Sequence, residues 1–157
     1  AIRYPRGSAH QGLREYQAPV EYGRSEIIRK GKKIAVLGVG SMIPSCMEIC
    51  KGLKDDGYDP TFVNARFVKP LDVDLLDELA KDHSLFVTVE ENVKSGGYGE
   101  HVSAYMEACH PEIRVLSAAV WDRFVPQGNV ESLRSRIGLG VEDIRQAIED
   151  SEELREQ

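Results

Sequence analysis

The sequence lacks any apolar run that approaches the roughly 20 residues of a transmembrane helix. Its first dozen residues, AIRYPRGSAHQG, also lack the apolar stretch of a secretory signal peptide. With 157 residues and a 41% hydrophobic composition, the chain suits one ordinary globular domain. We therefore expect a cytoplasmic protein with no membrane partner.

Cysteine is scarce, and Cys46, Cys50 and Cys109 include no CxxC pair. An odd number without that spacing disfavours a disulfide framework or a zinc ribbon. The histidines are scattered, without HxH or HxxxH spacing, at His10, His83, His101 and His110. We therefore expect no metal site, and we expect Cys46 and Cys50 to be small buried side chains in a reduced compartment.

Positive charge is in deficit over most of the chain. The net charge is −6, yet residues 1–33 carry eight Lys or Arg against three Glu, and so the remainder carries −11. An acidic domain is a poor nucleic-acid binder, which excludes that class of function. The short basic segment suits a small anionic molecule or a partner surface better.

From Lys33 onward, apolar runs of strand length alternate with helical stripes. The predicted strands cover 34–37, 61–65, 85–89 and 113–116. Three helices are predicted with Ser41, Asp72 and Asn129 as N-terminal caps. Another is predicted to begin within the glycine-rich segment 96–99 with Cys109 on its apolar stripe, and a last one carries Val141 on its stripe. This alternation predicts an α/β domain over 33–157, with an open, mostly parallel sheet between two helical layers. Residues 1–32 show no sustained period and are predicted to be an N-terminal linker or extension.

Two glycine-rich turns follow predicted strands. Gly38-Val39-Gly40 is half of a dinucleotide fingerprint, but Ile43 stands at the third glycine and Asn64 stands near the end of the next strand, where an acidic residue is needed. A tight turn is therefore the favoured interpretation. After the third strand, Glu90-Glu91 precedes Gly96-Gly97-Tyr98-Gly99, where the carboxylates could act as acid or base. We favour an interface or structural role for Glu90, Glu91, Gly96 and Gly97.

The sharpest local motif is Arg3-Tyr4-Pro5-Arg6-Gly7. A guanidinium matches a phosphate by paired hydrogen bonds, and Pro5 restricts the residue before it. The motif therefore suits phosphate recognition, although a surface linker remains the alternative.

Several motifs together resemble one enzyme family, the 1-deoxy-D-xylulose 5-phosphate synthases. They are the segments 2–7 (IRYPRG), 66–72 (RFVKPLD), 87–92 (VTVEEN) with 96–99 (GGYG), 122–128 (DRFVPQG) and 138–140 (GLG). The resemblance covers nearly the whole chain. One departure is Ala119-Val120-Trp121-Asp122, where the family usually has Gly-Leu-Pro-Asp.

The resemblance implies a fold like the transketolase C-terminal domain, with residues 1–32 leading in from a pyrimidine-binding domain. It implies a thiamine-diphosphate- and Mg²⁺-dependent transferase that condenses pyruvate with D-glyceraldehyde 3-phosphate, for isoprenoid, thiamine and pyridoxal precursors. The full enzyme would be a homodimer whose other domains bind the cofactor. Arg6, with Arg3 as a second candidate, would bind the substrate phosphate. This chain would hold no catalytic, cofactor-binding or metal residue and would be inactive alone.

Three alternatives stay open. The chain could be the C-terminal part of a 2-oxoacid dehydrogenase β subunit, or of a transketolase, because VEE with GG is shared more widely. It could also be a non-catalytic anion-binding or interaction module. RYPRG and RFVKPLD favour the synthase.

Overall fold

The computed structural model describes residues 1–2, 4, 10–16 and 18–151. Its sheet has five strands: β1 (Glu26–Arg29), β2 (Lys33–Gly38), β3 (Thr61–Asn64), β4 (His83–Val93) and β5 (Arg114–Val120). The spatial order is β1-β3-β2-β4-β5. Only β1 runs antiparallel to its neighbour, so the predicted open, mostly parallel sheet is confirmed.

Both faces of the sheet are covered. The helices are α1 (Ile43–Asp55), α2 (Val73–Ala80), α3 (Tyr98–Cys109), α4 (Val130–Arg136) and α5 (Val141–Glu149). On one face, Ile34 and Val36 of β2 share a core with α1 and α5. On the other, Ala35 and Leu37 share a core with α2 and α3. Successive strand residues point to opposite faces, which explains the unbroken apolar run and confirms the three-layer prediction.

Two predicted helix caps are present. The Asp72 side chain accepts a hydrogen bond from the Leu75 amide at the start of α2. Asn129 accepts one from the Glu131 amide at the start of α4. Each oxygen satisfies a backbone N–H that the helix itself leaves without a partner.

Three local predictions were wrong. Ser41 does not cap α1, which begins at Ile43, because the Ser41 hydroxyl donates to Glu91 instead. Cys109, placed on the core stripe of α3, is exposed because the helix ends there. No strand or helix was predicted before residue 33, and this was also wrong, because Glu26–Arg29 forms the edge strand β1.

The helices in the described part of the chain are all too short or too polar to cross a membrane.

Candidate functional site

The carboxyl ends of β2 and β4 meet at a crevice. In the sheet, β3 lies on one side of this pair and β5 on the other. The connection that leaves β2 therefore runs to one side of the crevice, and the connection that leaves β4 runs to the other. A cavity of about 570 Å³ opens there, and its lining includes Tyr4, Ser41, Val68, Glu90, Glu91 and Asn92. The two glycine-rich turns and Tyr4 of RYPRG thus lie at the same end of the sheet, where β2 and β4 finish.

Glu90 is a buried carboxylate that anchors the start of α3. It is 1% exposed, and its two oxygens accept hydrogen bonds from the backbone amides of Tyr98 at 2.9 Å and Gly99 at 2.8 Å. A negative charge is favoured at a helix N-terminus, where several N–H groups lack a helical partner. The position that an external anion could take at α3 is therefore filled by this chain's own side chain.

The glycines before α3 are needed for close approach. A Cβ at Gly97 would lie 2.6 Å from Glu90 Oε1, and one at Gly99 would clash with the Thr88 and Ser117 hydroxyls. Gly96 has a φ of +72°, which L side chains rarely adopt. Gly97 and Gly99 thus let the backbone pass close to polar side chains of the same chain.

Glu91 also has partners within the chain. It accepts from the Ser41 hydroxyl at 2.7 Å, and an Arg134 guanidinium nitrogen lies 3.0 Å from its carboxylate. Both carboxylates of the crevice are thus engaged, one by backbone amides and one by a cation. An interface role for either stays a prediction.

Gly38, at the end of β2, allows α1 to pack closely against the sheet. A Cβ at Gly38 would lie 2.8 Å from Cys46 Sγ and 2.9 Å from Ile43 Cδ1. The turn therefore needs glycine so that α1 can pack tightly on the sheet, as the favoured sequence interpretation held.

Burial suppresses the chemistry of the two α1 cysteines. Cys46 and Cys50 are buried free thiols. Burial raises the pKa of both, that of Cys50 to about 12, so neither forms a thiolate near neutral pH. In the described part of the chain, no group of three or more His, Cys, Asp or Glu side chains is arranged to hold a metal ion.

Arg3 and Arg6 lie outside the described residues. Tyr4, between them, is described and lines the crevice. Sequence reasoning missed Arg66, which the structure places beside this edge, bonded to residues well before it in the chain. The available signals were its position directly after a predicted strand and the RFVKPLD motif that it begins.

Comparisons with known proteins agree with this architecture. Residues 23–144 match the family model "Transketolase, C-terminal domain". A 1-deoxy-D-xylulose-5-phosphate synthase from Lachnoclostridium phytofermentans is 40% identical over 145 residues, which is 92% of this chain and 23% of that protein. One from Dictyoglomus thermophilum is 40% identical over 149 residues, 94% of this chain and 24% of the relative. This chain thus spans about a quarter of those relatives' length.

Solved structures are similar as well. A split-gene transketolase, described as an inactive β4 tetramer, has a TM-score of 0.79 and 29% identity over 86% of this chain and 44% of its own. A transketolase from Campylobacter jejuni, at a TM-score of 0.58 and 17% identity over 82% of this chain and 19% of its own, shares the fold. The family match over residues 23–144, with this sheet order and helical layering, shows that the chain belongs to the transketolase C-terminal domain family.

Proposed function

We propose that this chain is the C-terminal domain of a synthase that joins pyruvate to D-glyceraldehyde 3-phosphate, with loss of CO₂, to form 1-deoxy-D-xylulose 5-phosphate. One observation carries the proposal. A synthase from Nitrosomonas europaea is 39% identical over 151 residues, 96% of this chain, so at most six residues are left unmatched. The similarity therefore takes in residues 7–22, ahead of the family domain.

Arg6 is the residue we assign to the acceptor substrate. A guanidinium stays charged at any working pH and can form two parallel hydrogen bonds with a phosphate. By binding the phosphate, it would orient the aldehyde toward the reacting carbon of the donor. Arg3, two residues before Pro5, would support the same segment or contact the same phosphate.

The described residues do not fit thiamine diphosphate with Mg²⁺. They offer no metal-ligand cluster, and Glu90 fills the N-terminus of α3, where a diphosphate could otherwise bind. We therefore assign the cofactor and its metal to other domains of a longer, homodimeric protein. In this proposal residues 1–32 lead from the preceding domain into 33–157, and β1 is the part of that lead-in that joins the sheet.

The test is a synthase assay of the full-length protein, with and without Arg6→Ala. We expect product from pyruvate and D-glyceraldehyde 3-phosphate. The substitution should raise KM for the aldehyde by about ten- to a hundredfold, because a charge-assisted hydrogen bond contributes about 1.5–3 kcal/mol. KM for pyruvate should change little.

Arg114→Ala is the matched control, since Arg114 is exposed at the start of β5, on the opposite edge of the sheet. If Arg6→Ala raised KM equally for both substrates, Arg6 would not be the residue that binds the phosphate. If the full-length protein had no synthase activity, we would instead assign the chain to a 2-oxoacid dehydrogenase β subunit or to a non-catalytic binding module.

A further inference from the structure

A second cavity, of about 290 Å³, lies beside α1 and shares no described residue with the crevice. Its lining comes from three places: the turn 13–16, one side of α1, and the edge of the sheet at Ile28 and Phe62. The turn is closed by the Tyr16 amide, which donates to the Leu13 carbonyl at 3.0 Å. The volume is close to the lower end of the range of about 300–1,000 Å³ that is usual for small-molecule sites.

The floor of this cavity is apolar. Ile28, Cys50 and Phe62 are only 9%, 6% and 3% exposed. Met47 completes the floor and is half-buried against the same hydrophobic core, on which Leu13 of the turn also packs. A hydrocarbon chain that entered the cavity would therefore leave water for an apolar surface, which is the main favourable contribution to the binding of such a chain.

The side of α1 that faces the cavity is half apolar and half cationic. Four residues line it at a spacing of i, i+3, i+4 and i+7: Met47, Cys50, Lys51 and Lys54. That spacing places all four on one side of the helix. Both lysines are exposed, and within the described part of the chain neither has an ion pair or a side-chain hydrogen bond. Their ammonium groups are therefore available to a ligand.

Arg29 adds a third cation from the end of β1. Its Nη1 donates to the Pro60 carbonyl at 2.6 Å, and its Nη2 pairs with Asp59. Burial raises the pKa of the Cys50 thiol to about 12, and the charge of Arg29 acts in the opposite direction because it lies near the floor. The three cations Arg29, Lys51 and Lys54 form the rim of the cavity.

The charge of the rim differs from that of the chain as a whole. Glu15 is the one carboxylate among the described lining residues, which leaves an excess of positive charge, whereas the whole chain carries −6. Lys54 lies in the last turn of α1, where the helix dipole favours a cation, but this does not account for Lys51 or Arg29. A cavity with low-dielectric walls and cations at its mouth attracts anions.

We propose that this cavity binds a small amphipathic anion: a short apolar chain that ends in a carboxylate or a phosphate. The chain lies on the apolar floor, and the head group lies between Lys51 and Lys54. Because the lining combines the turn 13–16 with α1, the bound molecule holds that turn against the helix. The site uses no residue assigned to the synthase reaction.

Isothermal titration of the full-length protein with four probes of equal chain length tests the ligand class. Octanoate and octyl phosphate should each bind, whereas 1-octanol should bind about tenfold more weakly and octylamine should not bind measurably. Hexanoate should bind about tenfold more weakly than octanoate, because each buried CH₂ contributes about fourfold. The tighter of the two anions identifies the head group as a phosphate or a carboxylate.

Lys51→Gln and Lys54→Gln each remove one cation from the rim. Both positions are exposed, so both variants should fold. Each should weaken octanoate binding about three- to tenfold and leave 1-octanol binding unchanged. Lys81→Gln is the matched control, because Lys81 is an exposed lysine at the C-terminal end of α2 and does not line this cavity. It should bind octanoate like the parent protein.

Hydrogen exchange locates the bound probe without reference to synthase activity. Octanoate should slow exchange in peptides that cover 13–16, 26–29 and 47–54. Peptides that cover 121–130 are the comparison, because Trp121, Phe124 and Val130 are exposed apolar side chains to which an amphipathic molecule could adhere without a specific site.

Four outcomes would each overturn the proposal. They are no octanoate binding by the parent protein, equal binding of octylamine and octanoate, unchanged octanoate affinity in both Lys51→Gln and Lys54→Gln, and protection confined to 121–130. Because these are binding measurements, a failure here leaves the proposed synthase function intact, and the absence of synthase activity leaves this site intact.

Discussion

At the scale of single residues, His83 is a buried histidine whose two ring nitrogens are both engaged. Nδ1 lies 2.8 Å from the Leu79 carbonyl, and Nε2 lies 2.7 Å from Thr61 Oγ1. Thr61 Oγ1 also accepts from the Gly31 amide, which leaves its hydroxyl proton free to point at Nε2. This arrangement suits a neutral ring that donates from Nδ1 and accepts at Nε2.

His83 gives the domain a predicted acid sensitivity. Burial lowers the pKa of His83, although the Leu79 hydrogen bond and the charge of Asp82 act in the opposite direction. The unfolded chain, with a pKa of about 6.5, then binds more protons than the folded one as the pH falls. The contribution of His83 to the free energy of unfolding should therefore be constant above that pH and decrease as the pH drops below it.

Urea denaturation between pH 7.5 and 5 measures the effect. His83→Gln should flatten the decrease, whereas His101→Gln, at an exposed position on α3, should leave it unchanged. The slope with pH is compared because the substitution also changes stability at every pH. An identical slope in the parent and His83→Gln would assign the pH dependence to other groups.

At the scale of elements, α3 depends on a carboxylate from the strand before it. Glu90→Gln would keep one oxygen but turn an amide N–H₂ toward a backbone N–H of Tyr98 or Gly99. A buried donor without an acceptor costs about 1–3 kcal/mol. We expect the free energy of unfolding to fall by that amount in chemical denaturation.

Glu131→Gln provides the comparison, because Glu131 is an exposed first-turn glutamate of α4. An exposed substitution of this kind should change stability by less than about 0.5 kcal/mol. If both variants were equally stable, Glu90 would not be the anchor of α3.

Sequence patterns predicted the inner strands of the sheet but not its edge strand β1. The inner strands β2 and β4 were predictable because both faces are covered, which requires continuous apolar residues. The edge strand β1 was not, since its four residues are mostly half-buried and it pairs with β3 alone. Its stability comes from that pairing and from contacts with the 66–72 loop, which no local pattern encodes.

At the scale of the whole molecule, the crevice is lined by carboxylates that already have partners, and the described residues hold no metal-ligand cluster. We therefore expect residues 1–157 alone to give no synthase turnover with pyruvate, D-glyceraldehyde 3-phosphate, thiamine diphosphate and Mg²⁺. The full-length protein should be active under the same conditions. Circular dichroism of the isolated chain would establish that it is folded, and measurable turnover by the folded chain would contradict the assignment of the chemistry to other domains.

Sequence patterns alone were enough to predict the α/β class, the two helical layers and the capping residues Asp72 and Asn129, because each depends on local periodicity or on a neighbouring backbone amide. RYPRG and RFVKPLD could be recognised as motifs, but the chain did not reveal that Tyr4 and Val68 line the same crevice. The three-dimensional structure was needed to show that Glu90 binds the start of α3 and that Arg66 contacts residues before β1, more than 40 positions away in sequence. Such pairings depend on strand order and loop course, which follow from the packing of the whole domain.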